Sequence, residues 1–124
     1  MQVISETEER TIRTPAAEMA ALAGPSQGSA QLSTWRVRMG PDQDSPVHAI
    51  DADQVWMPLA GTFVFVVDDE SSHVSAGQAI VVPAGVVRRF HPVDGPAEAL
   101  VAMRAGGQAS VVGSDELLPL PWAR

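Results

Sequence analysis

Three histidines, His48, His73 and His91, are the side chains of this 124-residue chain that can exchange a proton near neutral pH. Cysteine is absent, which excludes a disulfide framework, a thiolate metal site and a cysteine nucleophile. All eight basic residues are arginine, and they include the short pairs Arg36/Arg38 and Arg88/Arg89. A guanidinium stays charged at any physiological pH and offers forked donors to carboxylate, phosphate or enolate oxygens. Asp51 and Asp53 follow His48 closely and are within reach of it from a loop, although acidic loop residues are expected to be solvated. His73 lies in the polar run Asp68-Asp69-Glu70-Ser71-Ser72-His73 and is expected at the surface.

The segments that must position these groups read as short strands. Residues 32–39 alternate, with Trp35, Val37 and Met39 on one face and Arg36 and Arg38 on the other. The arginines are expected to be solvated or at a subunit contact. Further strands are predicted at 54–59, 62–67, 79–83, 86–91 and 97–105, separated by Gly, Pro and Asp turns such as Ala60-Gly61 and Ala84-Gly85. One helix is predicted: Thr14 as N-cap, Pro15 at the first helical position, Ala-rich residues to Ala23, and Gly24-Pro25 as the stop. Strands at this even spacing imply an all-β sandwich or barrel. The tail from Ser114 is too proline-rich for a helix, and its Leu117, Leu118, Leu120 and Trp122 are expected to pack across the barrel or a partner subunit. The expected organisation is an arm and short helix over 1–31, a barrel over 32–107 and a packing tail over 108–124.

Fifteen acidic residues against eight basic ones give a net charge of −7, which repels a phosphate backbone and argues against nucleic acid as a partner. No apolar stretch approaches the roughly 20 residues that span a bilayer, so no membrane association is expected. The first residues lack a basic segment followed by an apolar run, and a cytoplasmic location is the default expectation.

Two segments resemble the paired motifs of the cupin superfamily. The first runs from Gly40 through Pro46-Val47-His48 and Gln54 to Gly61, with one residue more than usual between His48 and Gln54. The second runs from Gly77 through Pro83-Ala84-Gly85 and Arg88 to Pro92. The resemblance covers about residues 32–105 and implies an all-β, cupin-type jelly-roll β-barrel with one short N-terminal helix. It also implies that the four positions where such proteins hold a metal are Pro46, His48, Gln54 and Arg88. Proline has no ligating side chain, and a guanidinium repels a divalent ion. No metal and no cofactor are therefore expected. The alternative is a metal-dependent oxygenase or lyase whose ligands are rebuilt from His91, Asp51 or Asp53.

In this register the barrel mouth is expected to hold His48, Gln54, Trp56 and Arg88. His48 and Arg88 are the expected catalytic pair, His48 as general base and Arg88 as support for an oxyanion. Gln54 and Trp56 are expected to bind substrate. His91 joins them only if a bulge turns it inward, since strand alternation sets it opposite to Arg88. The expected activity is that of a metal-independent cyclase, isomerase or dehydratase on a small oxygenated metabolite, as in small cupins of natural-product pathways. A non-catalytic small-molecule-binding cupin is a further alternative. The resemblance also implies a homodimer, with 62–67 and the tail as contact surface.

Overall fold

The computed structural model describes residues 1–124. Ten strands form it: β1 (Thr11–Arg13), β2 (Glu18–Ala21), β3 (Leu32–Met39), β4 (His48–Ile50), β5 (Gln54–Val67), β6 (Glu70–Ser75), β7 (Ile80–Val82), β8 (Arg88–Arg104), β9 (Gln108–Val111) and β10 (Leu118–Pro119). They pair in the order β1-β2-β3-β8-β4-β9-β10, and β5 joins β6, β7 and β8 to curl the sheet on itself. The result is the expected all-β architecture. No helix is long and apolar enough to cross a membrane.

Alternation along β3 holds as read. Trp35, Val37 and Met39 are buried, and Arg36 and Arg38 face outward. Those arginines are partly exposed but ion-paired within the chain. Arg36 pairs with Glu98, and Arg38 reaches Glu6, Glu18 and Glu98. The apolar run 62–67 is core rather than contact surface, since Phe63, Val64 and Phe65 are all buried.

Two expected strand pairs merge. Residues 54–67 are one strand, and so are residues 88–104; they pair antiparallel from Gln54↔Met103 to Val67↔Arg88. The register shifts between Pro58 and Thr62, where both strands bend together. Gly61 is the pivot rather than a hairpin turn. Its φ is +71°, and a Cβ there would lie 2.3 Å from the Pro96 carbonyl oxygen.

The predicted N-terminal helix is absent. Thr14 Oγ1 does accept from the amides of Ala16 and Ala17, as a cap would, but the chain then extends. β2 pairs with β1 on one side and β3 on the other, burying Met19 and Ala21 beside Val37 and Trp35. Two strand ladders and an alternating inner face outweigh a helix propensity of a few tenths of a kcal/mol per residue, on the order of the Ala-to-Met spread. The tail divides. Leu120 is buried and Trp122 packs on the core, whereas Leu117 and Leu118 are exposed.

Gly61→Ala is expected to cost roughly 2 kcal/mol or more, because both the positive φ and the Pro96 carbonyl oppose a side chain. Urea denaturation checks this, with a lowered midpoint as the expected result.

Candidate active site in the barrel mouth

A cavity of about 570 Å³ opens at one end of the curled sheet. Its floor is aromatic and aliphatic: Trp35 and Val37 from β3, Trp56 from β5, Phe90 from β8 and Ile50 from β4. Its flanks come from distant parts of the chain, the Thr14–Ala17 turn on one side and Leu120 and Trp122 on another. Trp56 is the hub of the floor. Its ring lies 4.5 Å from Phe90, 5.1 Å from Phe65 and 5.6 Å from Phe63. Trp56 therefore serves both as core and as wall, and it does not plug the cavity.

His48 opens β4, directly across from Arg88 on β8, and lines the cavity. Its Nδ1 lies 2.7 Å from the Pro46 carbonyl oxygen, which can only accept. The proton therefore sits on Nδ1, and Nε2 carries a bare lone pair. Nε2 has no hydrogen-bond partner within the chain. Burial pushes the imidazole pKa below its ordinary value; the Pro46 carbonyl pushes it back up and the Arg88 charge lowers it further. At neutral pH His48 is a neutral base.

Gln54, Asp44, Ser45 and Thr14 around the cavity have partners within the chain, whereas the indole N–H groups of Trp35 and Trp122 have none. Gln54 is 3 % exposed, and its Oε1 accepts from Trp56 Nε1 at 3.2 Å and Arg88 Nη1 at 3.4 Å. Two donors facing one atom fix that atom as the oxygen, leaving Nε2 against Met103 Sδ at 3.7 Å. Asp44 pairs with Arg89 at 3.1 Å. Ser45 Oγ accepts from the Phe90 amide and donates to the Pro46 carbonyl, and Thr14 Oγ1 holds its own turn.

Arg88 departs from expectation. It is 1 % exposed and does not line the cavity. Its Nε donates to Val86 O at 2.9 Å and its Nη2 to Pro83 O at 3.0 Å, so the fork grips backbone and not a ligand. Burial lowers its pKa to about 10, still charged at neutral pH. His91 also lies off the site. The β5–β8 register runs without a bulge from Thr62↔Val93 to Val67↔Arg88, so alternation turns His91 outward, opposite Val64. Its Nδ1 approaches the Pro92 carbonyl instead. Asp51 and Asp53 brace loops by accepting from the amides of Gln108 and Ala84, and His73 is exposed.

A divalent metal does not fit these residues. The Gln54 oxygen already serves two N–H donors, Pro46 offers only a backbone carbonyl held by His48, and a guanidinium stands behind them. No group of three His, Asp or Glu side chains in the structure is placed to hold a metal ion. Sequence reasoning reached His48, Gln54 and Trp56. It missed Trp35, Val37 and Phe90 as floor, although alternation along β3 and from Arg88 to Phe90 carries that signal. It missed the Thr14–Ala17 flank because that segment reads as helix.

A family model described as Cupin domain matches residues 35–103. A search of curated proteins returns no match. Among solved structures, the chain is similar to the polyketide cyclase RemF from Streptomyces resistomycificus, at 21 % identity and a TM-score of 0.76, covering 94 % of this chain and 88 % of that one. It is also similar to KdgF from a Halomonas species, at 15 % identity and TM-score 0.71, over 84 % and 93 % of the two chains. A cupin-like protein from Thermotoga maritima gives 15 % identity and TM-score 0.72, over 94 % and 90 %. At these identities the likeness is one of fold.

The depressed His48 pKa has a consequence for stability. An unfolded histidine protonates near 6.5 and the folded one lower, so the contribution of His48 is complete above pH 6.5 and is lost as pH falls through the folded value. Thermal melts are expected to lose stability between pH 7 and pH 5 more steeply in the wild type than in His48→Gln. Parallel curves would refute it.

Proposed function

The chain belongs to the cupin family, and within that family we propose that it is a metal-independent cyclase, isomerase or dehydratase that moves a proton on a small oxygenated metabolite. The observation that carries this reading is a single lone pair. His48 is the one imidazole lining an aromatic-walled cavity, its Nε2 has no hydrogen-bond partner within the chain, and the ring is oriented by the Pro46 carbonyl and kept neutral by burial. A neutral, oriented imidazole in a largely apolar chamber has the form of a general base. In the reaction Nε2 takes a proton from an acidic C–H or O–H of the substrate, the electron pair stays on the substrate as an enolate or phenolate, and the imidazolium returns the proton to another atom.

The cavity indicates what the metabolite is like. Trp35, Trp56, Phe90 and Trp122 present ring faces and edges suited to a flat, apolar molecule carrying few oxygens. The fold likeness to RemF, itself a polyketide cyclase, supports the cyclase form of the proposal. Arg88 takes a different part from the oxyanion clamp expected of it. Its donors are engaged, and its contribution to a developing anion is the field of a buried cation.

The protein is further proposed to act as a homodimer with a second copy seated on the outer face of β5, β7 and β8. Val55, Met57, Leu59 and Leu100 line that face, and Val81 there is 61 % exposed. The bordering Arg36 and Arg38 are paired within the chain to Glu98, Glu6 and Glu18, so that face carries no cluster of free like charges.

Two measurements test these readings. With a panel of poly-β-ketone and hydroxy-aromatic substrates, His48→Gln is expected to reduce kcat by about 10²-fold or more while ligand binding persists. Undiminished turnover would overturn the base role, and binding without turnover in the wild type would mark a binding module instead. Light scattering is expected to give a dimer that Met57→Glu converts to a monomer; a monomeric wild type would remove the second copy.

A further inference from the structure

Arg88 is a buried cation with no carboxylate partner, since every ion pair of the chain involves other residues. An arrangement of this kind is poor as packing. Desolvating a guanidinium is costly, and the attraction of an opposite charge that ordinarily offsets it is missing. What the side chain has instead is three neutral acceptors from two places in the fold. Val86 O and Pro83 O lie on the turn between β7 and β8, and Gln54 Oε1 lies at the start of β5. The same oxygen accepts from Trp56 Nε1. A planar fork is the side chain that reaches three such acceptors at once.

We propose that Arg88 is the positioning residue of the cavity: its guanidinium clamps the Pro83–Val86 turn to the Gln54 carboxamide, and the clamped carboxamide sets the Trp56 indole as a rigid wall. Without the guanidinium the carboxamide is held only by its contact with Met103, and the indole N–H loses an oxygen held on its line. Trp56 stays packed on Phe63, Phe65 and Phe90 but lacks the polar tie that fixes its edge. Arg88 acts through Gln54 and Trp56 and touches no ligand itself.

The clamp has an electrostatic side, which rests on the reading of His48 as the base. His48 and Arg88 are directly opposed across β4 and β8, so their side chains share the inner face. The charged groups facing His48 are Arg88 from β8 and Asp44 from the loop before β4, the latter tied to Arg89. The lining from β5, β9, the Thr14–Ala17 turn and the tail brings no charge. Arg88 is therefore the unpaired charge beside the imidazole, and it favours the free base.

Nuclear magnetic resonance on the full chain tests both sides in the absence of substrate. The Trp56 indole N–H is assigned with Trp56→Phe and the His48 ring with His48→Gln. Arg88→Met is expected to speed exchange of the Trp56 indole proton by about tenfold or more and to raise the His48 titration midpoint. Arg88→Lys keeps the charge without the fork, so it is expected to speed the exchange while leaving the midpoint low. Gln54→Glu supplies a carboxylate to Arg88 and keeps an acceptor for Trp56. It is expected to raise the midpoint with the indole proton still protected, and it carries the test if Arg88→Met does not fold. Unchanged exchange in both Arg88 variants would overturn the clamp, and an unchanged midpoint in Gln54→Glu would overturn its electrostatic side. Neither result depends on turnover, so a catalytically silent His48→Gln would sink the base reading and leave the clamp standing.

Discussion

Everything in this molecule hangs on the ladder between β5 and β8. Each strand is long enough to serve two parts of the curled sheet, and each bends where the other bends, around Gly61 and the Pro96–Ala97 backbone. One half of the ladder delivers Gln54 and Trp56 to the cavity, opposite Met103 and Val101 respectively. The other half delivers Phe90 to it, opposite Phe65, and sets Arg88 behind it, opposite Val67. Were the bend relaxed by one residue, alternation would turn every one of these side chains to the opposite face. The site is thus fixed by backbone register before any side-chain contact is made.

Upon that frame the polar chemistry is sparse and tightly allotted. Gln54, Ser45, Thr14 and Asp44 border the cavity, and each has a hydrogen-bonding partner within the chain. A chamber of this kind gives little to a permanently charged ligand, which would lose its hydration without gaining an ion pair. Within the Cupin domain frame this chain sets one imidazole at the cavity and one buried guanidinium behind it.

The legibility of the sequence follows the range of the forces involved. Alternation in β3 was readable because Trp35, Val37 and Met39 face one core, and motif spacing placed His48, Gln54 and Trp56 at the mouth. Gly61 signalled an irregularity, but a glycine of positive φ serves a hairpin and a bulge equally, and long-range pairing decided for the bulge. Residues 15–23 carry helix formers and even a working Thr14 cap, yet pairing on both sides makes β2 a strand. The register located Arg88 but not the direction of its donors. That depends on the Pro83 and Val86 carbonyls, which belong to turn geometry and leave no mark in residue types. Leu120 and Trp122 were readable as packing residues, although not as the flank of a cavity.

That flank is built differently from the floor. The tail is held by the two-residue pairing of β10 with β9, the Ser33 hydroxyl on the Ala123 carbonyl, a short turn from Leu120 to Ala123 and the packing of their side chains. The floor belongs to the β5–β8 ladder. Local opening free energies follow such differences, so the short tail pairing is expected to open at lower cost than the long ladder. The flank of the chamber can thus loosen while the ladder that forms its floor stays intact.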